Sequence, residues 1–135
     1  MELKGICEII QKLYIYADVT KKIHYTTPKN HTHELCDEIR DVILDFVDEF
    51  AEQMFGIYGK PTFNDFLTFK NINVDETNDL HKLCESCINL VSLFYKENKN
   101  NEKVSGIISL IDDFKGKLNK MQFLTTFDKI SNHNN

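Results

Sequence analysis

The chain contains no tryptophan, only two prolines and no long uninterrupted apolar stretch. Because no run approaches the roughly 18 consecutive apolar residues of a membrane-spanning helix, we expect no membrane segment. The first residues include Glu2 and Lys4 and do not form a signal peptide, which favours a cytoplasmic protein. No cluster of lysines or arginines marks either terminus. Direct DNA binding is therefore not expected, because phosphate contacts supply most of the affinity in such complexes.

Cysteine is present, but its pattern does not indicate disulfides or a structural zinc site. The four cysteines are Cys7, Cys36, Cys84 and Cys87, and each falls within a helical pattern, as buried thiols of a reducing compartment do. Cys84 and Cys87 are three residues apart with His81 nearby, yet no second cysteine pair completes a four-ligand zinc site. Both share the apolar stripe of their segment, which predicts that they pack in the core.

Length and charge limit the organisation and the ligands of the chain. Its 135 residues are the size of one ordinary domain. We expect a single domain over residues 1–130 and a short disordered tail over residues 131–135. The formal net charge is −5, from 21 acids and 16 bases, so cations are better candidate ligands than nucleic acid.

Apolar residues recur at the spacing of amphipathic helices in four long segments, and no alternating strand pattern is found. The segments cover about residues 3–24, 31–56, 76–97 and 103–127. Short connections join the first pair and the last pair into antiparallel hairpins. The longer connection between them contains Thr62, which can cap a short helix that carries Phe63, Phe66, Leu67 and Phe69. The pattern predicts an all-α fold with four long helices and a short crossover helix between the second and the third.

The second segment carries two pairs of metal-binding side chains on one face. Eight acids and one base, Arg40, lie between Glu34 and Glu52. His33 and Asp37 are four residues apart, as are Asp48 and Glu52, so the members of each pair point to the same side of a helix. At about 100° per residue, all four share a sector of roughly 100°, which lies away from the apolar stripe. The dense negative charge on this face favours a bound cation.

One copy of the chain cannot bring the two pairs onto one metal cluster, since Asp37 and Asp48 are about 16 Å apart along the helix. Two copies packed antiparallel about a two-fold axis would place His33 and Asp37 of one chain near Asp48 and Glu52 of the other. His24, at the end of the first helix, could add a nitrogen ligand at the end where His33 lies. The spacing therefore predicts two equivalent sites between two subunits.

The ordered set His24, His33, Asp37, Asp48 and Glu52 resembles the ferroxidase ligands of the Dps family in the ferritin-like superfamily. In that family a histidine ends the first helix, and a His–Asp pair followed by an Asp–Glu pair lies on the second. The passage from Phe55 to Leu67 is similar to the family's turn and short crossover helix. Three features depart from the family: a shorter loop before His33, Tyr25 where tryptophan is common, and no lysine-rich tail.

The resemblance implies a ferritin-like four-helix bundle that assembles as a homo-oligomer, a hollow dodecamer built from two-fold dimers. It also implies that all five residues bind iron, that ferrous iron is oxidised there, with hydrogen peroxide as the preferred oxidant, and that ferric mineral is stored. Two alternatives stay open at this point. One is a structural assembly protein that keeps the bundle without catalysis, and the other is a protein that buffers zinc with the same ligands.

Overall fold

The computed structural model of the chain describes residues 2–67 and 72–133, with side chains as far as residue 127. Within these ranges it consists of helices, turns and loops and contains no strand, which confirms the all-α prediction. The helices are α1 (Leu3–Thr26), α2 (Asn30–Tyr58), α3 (Phe63–Leu67), α4 (Leu80–Asn98) and α5 (Ser105–His133), and a 3-10 turn over Glu102–Val104 precedes α5.

The ends of the first helical hairpin follow from local backbone chemistry. α1 stops before Pro28, since a proline disfavours helical backbone at the residue preceding it, here Thr27. α2 stops at Gly59, whose φ of 108° and ψ of 163° lie in a region open essentially to glycine alone. The Gly59 amide still donates a hydrogen bond of 2.9 Å to the Phe55 carbonyl. This turn separates the α1–α2 hairpin from the crossover.

The third long helix begins later than predicted, at Leu80 rather than near residue 76. The side chain of Asp79 accepts hydrogen bonds from the amides of His81 and Lys82, which satisfies two donors that the first turn would otherwise leave free. Glu76 instead forms an ion pair with Lys22 of α1, with a distance of 3.3 Å between Nζ and Oε1. A strong cap and a tertiary contact therefore set this boundary.

The predicted crossover helix is present as α3, and Thr62 caps it as expected. The Asp65 amide donates to Thr62 Oγ1, and the Thr62 amide donates to Asp65 Oδ2 at 2.7 Å, so the two residues cap the helix reciprocally. Phe66 holds the helix against the hairpin, while Phe63 and Leu67 are exposed. Phe69 lies outside the described residues.

In the four-helix arrangement α1 packs against α2 and α4, and α5 packs against the same two helices, while α2 and α4 also touch each other. Stacked aromatic rings join α2 to α5, with 4.1 Å between the ring centroids of Phe46 and Phe114. Phe50 of α2 meets Phe94 of α4 edge-on at 5.4 Å. The apolar stripes read from the sequence therefore face one shared core.

The remaining structural predictions concern the cysteines and the membrane. Cys84 and Cys87 are fully buried in the core, as predicted, and Cys7 is buried as well. Over the described residues, no helix combines the length and the apolar character needed to cross a bilayer. Of the predicted tail over residues 131–135, the backbone of 131–133 continues α5, and residues 134 and 135 lie outside the described residues.

Candidate metal centre

Two of the predicted ligands, His24 and His33, lie against each other at one end of the α1–α2 hairpin. His24 is in the last turn of α1 and His33 is in the first turn of α2, and a three-residue loop, Thr27 to Lys29, joins the helices. Their rings stack with 3.7 Å between centroids and 24° between planes. The short loop thus brings His24 beside His33.

The two histidines hold each other through their backbones. Nδ1 of His24 lies 3.0 Å from the His33 carbonyl oxygen, and Nδ1 of His33 lies 2.9 Å from the His24 carbonyl oxygen. A carbonyl oxygen only accepts hydrogen bonds, so each Nδ1 carries a proton, and Nε2 is the nitrogen through which each ring could bind a metal. Metal-ligating histidines commonly use this arrangement, in which one ring nitrogen donates to a carbonyl while the other binds the ion.

The third predicted ligand, Asp37, lies one turn after His33 and is surrounded by positive charge. Its Oδ1 is 3.2 Å from Lys21 Nζ, 3.5 Å from Arg40 Nη1 and 3.6 Å from His24 Nδ1. The hydrogen bond from Lys21 is the largest cause of a pKa of Asp37 below its usual value, and the nearby charges of His24 and Arg40 add to it. Asp37 is therefore a carboxylate held in its charged form.

Asp48 and Glu52 lie on the same helix but far from this group. About 16 Å separates Asp48 from Asp37 along α2, as its three turns require. Both side chains are exposed, and neither forms an ion pair or a side-chain hydrogen bond within the described part of the chain. The structure thus brings together His24, His33 and Asp37, and it leaves Asp48 and Glu52 at a distance.

A single chain does not present a complete ligand set. Among residues 2–67 and 72–127, no group of three or more His, Cys, Asp or Glu side chains is placed to hold one ion. The Asp37 carboxylate faces Lys21 and the Nδ1 side of His24, rather than the Nε2 atoms that would bind a metal. Ion binding would therefore need carboxylates from elsewhere and a shift of Asp37 away from Lys21.

Three neighbours of the centre are not part of the predicted ligand set. Lys21 and Arg40 neutralise Asp37, and the spacing i, i+3 from Lys21 to His24 and from Asp37 to Arg40 could have indicated this. Tyr25 packs edge-on against His24 with 5.4 Å between ring centroids. The ammonium group of Lys21 lies over the face of the Tyr25 ring, 5.6 Å from its centroid. These contacts make the centre more basic than the α2 sequence alone suggests.

Comparison with known proteins adds no relative from which function could be transferred. No protein-family model, no curated protein and no solved structure matches the chain.

Proposed function

We propose that the chain is a Dps-like four-helix-bundle protein that binds ferrous iron between two copies of itself and oxidises it with hydrogen peroxide. The observation that carries this proposal is the stacked pair His24 and His33, whose two Nδ1 protons are tied to backbone carbonyls. The pairing leaves Nε2 of each ring as the atom for a metal, and metal binding gives a reason for two imidazoles at one end of the hairpin to be held so closely.

The second copy supplies the missing carboxylates in this proposal. Antiparallel pairing of two α2 helices about a two-fold axis would set Asp48 and Glu52 of one copy near His24, His33 and Asp37 of the other. Two imidazoles and up to three carboxylates suit iron in both oxidation states. Each exposed carboxylate also gains a cation that offsets the crowded negative charge of α2.

Iron is the substrate of the proposed reaction. Two ferrous ions each give one electron to hydrogen peroxide, whose O–O bond breaks, and two protons complete two water molecules. The carboxylates stabilise the added positive charge of the ferric products, and the imidazoles hold the ferrous ions before oxidation. A dodecameric shell and storage of the ferric mineral belong to the same proposal, through the resemblance to Dps proteins.

The ion pairs of Asp37 favour one competing function, a non-catalytic assembly protein. In that case Lys21 and Arg40 would be the permanent partners of Asp37, and the histidine pair would only lock the turn between α1 and α2. Zinc buffering by the same side chains is a further alternative, because the usual order of affinities favours zinc over ferrous iron.

The deciding experiment is oxidation of ferrous iron by hydrogen peroxide, followed by absorbance with and without the protein. The wild-type chain is expected to accelerate the reaction, and the variant Asp48→Ala/Glu52→Ala is expected to return it to the protein-free rate. Asp112→Ala/Asp113→Ala, which removes two exposed acids of α5, is the matched control and should keep the wild-type rate.

Equal rates of iron oxidation for the wild type and the Asp48→Ala/Glu52→Ala variant would reject the ferroxidase function and favour the non-catalytic assembly protein. Tight zinc binding that depends on Asp48 and Glu52, without any acceleration of iron oxidation, would instead support the zinc-buffering function.

A further inference from the structure

A cavity of about 340 Å³ lies at the end of the bundle where the loop joins α1 to α2, and residues of all four long helices line it. Ile23 of α1 and Leu80 of α4, which are both buried, form its apolar part together with Pro28 of the loop. Small-molecule sites in proteins start at about 300 Å³. The cavity therefore has the size for a small metabolite rather than for a nucleotide.

The segment before α4 forms one wall of this cavity and is held in place at both ends. Glu76 forms an ion pair with Lys22 of α1 at 3.3 Å, and the Asp79 amide donates a hydrogen bond of 3.1 Å to Thr77 Oγ1. Asn78, between these two contacts, lines the cavity. The wall is thus fixed by the fold itself, and the cavity is largely pre-formed, as small-molecule sites usually are.

One positive and one negative side chain line the cavity, and no ion pair joins them. Within the described part of the chain, the ammonium group of Lys29 has no acceptor. Asp79 Oδ1 accepts hydrogen bonds from the amides of His81 and Lys82 at 3.0 and 3.3 Å, whereas Oδ2 has no partner among the same residues. A ligand with one negative and one positive group would therefore find an opposite charge for each.

Hydrogen bonds within the protein sort the threonine hydroxyls of the cavity into acceptors and donors. Thr26 Oγ1 and Thr125 Oγ1 each donate to a backbone carbonyl of their own helix, at 2.7 and 2.6 Å, so each oxygen can only accept from a ligand. Thr27 Oγ1 accepts from the Lys29 amide at 3.3 Å, which leaves its own proton available to donate. Donors for an anionic group therefore come from the loop, and acceptors for a cationic group come from α1, α5 and the cap of α4.

We propose that this cavity binds a small zwitterion, an amino acid with an apolar side chain, whose carboxylate pairs with Lys29 and whose ammonium group pairs with Asp79. The loop hydroxyl donates to the carboxylate, and the two acceptor hydroxyls receive protons of the ammonium group. The apolar part of the cavity receives the side chain. A simple anion fits less well because Asp79 repels it, and a metal ion fits less well because Lys29 repels it.

The proposed site shares no residue with the predicted metal ligands, so it does not depend on the iron function. Its test is titration of the whole protein with L-leucine, followed by amide chemical shifts in NMR spectra. We expect binding in the millimolar range or tighter, with the largest shifts at the residues that line the cavity. Absence of binding at millimolar L-leucine would overturn the proposal.

Two analogues of leucine test the two charges separately. Isocaproate lacks the ammonium group and isopentylamine lacks the carboxylate. Each is expected to bind the wild-type protein about tenfold more weakly than L-leucine, the effect of losing one charge-assisted hydrogen bond. Equal affinity for L-leucine and both analogues would show that the cavity does not recognise a zwitterion.

The variants Lys29→Met and Asp79→Asn assign each charge to a residue. Asparagine caps a helix about as well as aspartate does, so Asp79→Asn removes the charge and keeps the start of α4. Each variant is expected to bind L-leucine about tenfold more weakly. Lys29→Met should no longer distinguish L-leucine from isopentylamine, and Asp79→Asn should no longer distinguish it from isocaproate, which a purely structural effect would not produce.

Lys60→Met and Asp112→Asn are the matched controls, because both residues are exposed and neither lines the cavity. They should bind L-leucine and the two analogues as the wild type does. If Lys29→Met and Asp79→Asn discriminate among the three compounds as the controls do, the assignment of the two charges is wrong and the proposal fails.

Discussion

At the scale of single residues, the centre depends on how each side chain is oriented by its neighbours. His24 and His33 are fixed by backbone carbonyls, whereas Asp37 is fixed by the side chains of Lys21 and Arg40. In the proposed metal site the histidines would therefore be preset, whereas Asp37 would have to exchange its lysine partner for the metal ion. This contrast makes Lys21 the side chain that most directly opposes metal binding.

Replacing Lys21 by methionine should tighten metal binding. The change keeps the length of the side chain and removes the ammonium group that competes for Asp37, so we expect the dissociation constant for cobalt to fall by about two- to fivefold, the usual scale of exposed ion pairs. Lys22→Met is the matched control, because Lys22 pairs with Asp18 and Glu76 instead. Calorimetric titration gives both constants, and an identical constant for the two variants would show that Lys21 does not compete.

At the scale of helices and turns, Gly59 sets where α2 ends and therefore where the crossover begins. A side chain added here would meet no atom within 4 Å, so space is not the constraint. The constraint is the backbone, because φ is 108° at this residue. The turn leads into α3, whose Phe66 packs against Phe55, so the position of the crossover depends on it.

Gly59→Ala should lower the free energy of unfolding by about 1–3 kcal/mol through backbone strain alone. Gly56→Ala, three residues earlier inside α2, is expected to raise it by up to about 1 kcal/mol, because alanine is the better helix former. Gly56 also has open space around it, so the two changes differ only in backbone conformation. Urea unfolding measures the free energy of unfolding of both variants. An equal decrease in the two variants would show that the backbone conformation of Gly59 is not the cause.

At the scale of the whole molecule, the four long helices enclose a core that holds cysteines without exposing them. Burial raises the pKa of Cys84 to about 12, and the pKa of Cys87 is raised well above its ordinary value for the same reason. Thiolate formation, which alkylation requires, is therefore suppressed as long as the core stays closed.

Alkylation by iodoacetamide should accordingly report opening of the core. In native protein we expect Cys84 and Cys87 to react at least about 1,000-fold more slowly than in urea, because a domain of ordinary stability rarely opens globally. Leu93→Cys adds a thiol at an exposed position of α4 and serves as the control, which should react at nearly its unfolded rate. Mass spectrometry of alkylated peptides gives each rate, and fast native labelling at Cys87 would show that α4 detaches locally.

The helices themselves could be predicted from sequence, because the 3.6-residue period of their apolar side chains is a local property. The same period on α2 predicts the two side-chain pairs, His33 with Asp37 and Asp48 with Glu52. It also gives the distance between the two pairs. The period also predicts that Cys84 and Cys87 are buried, because they share the apolar stripe of Leu80, Leu83 and Val91. These features need no knowledge of how the helices pack.

Only the tertiary structure decided which side chains from different helices meet. The reciprocal bonds of His24 and His33 depend on the path of a three-residue loop, and the start of α4 depends on a cap at Asp79 and an ion pair at Glu76. The ion pair between Lys21 and Asp37 joins two helices whose relative rotation the period of either helix does not specify. Contacts of this kind depend on how rigid elements pack together, whereas the amino-acid pattern of one helix describes only that helix.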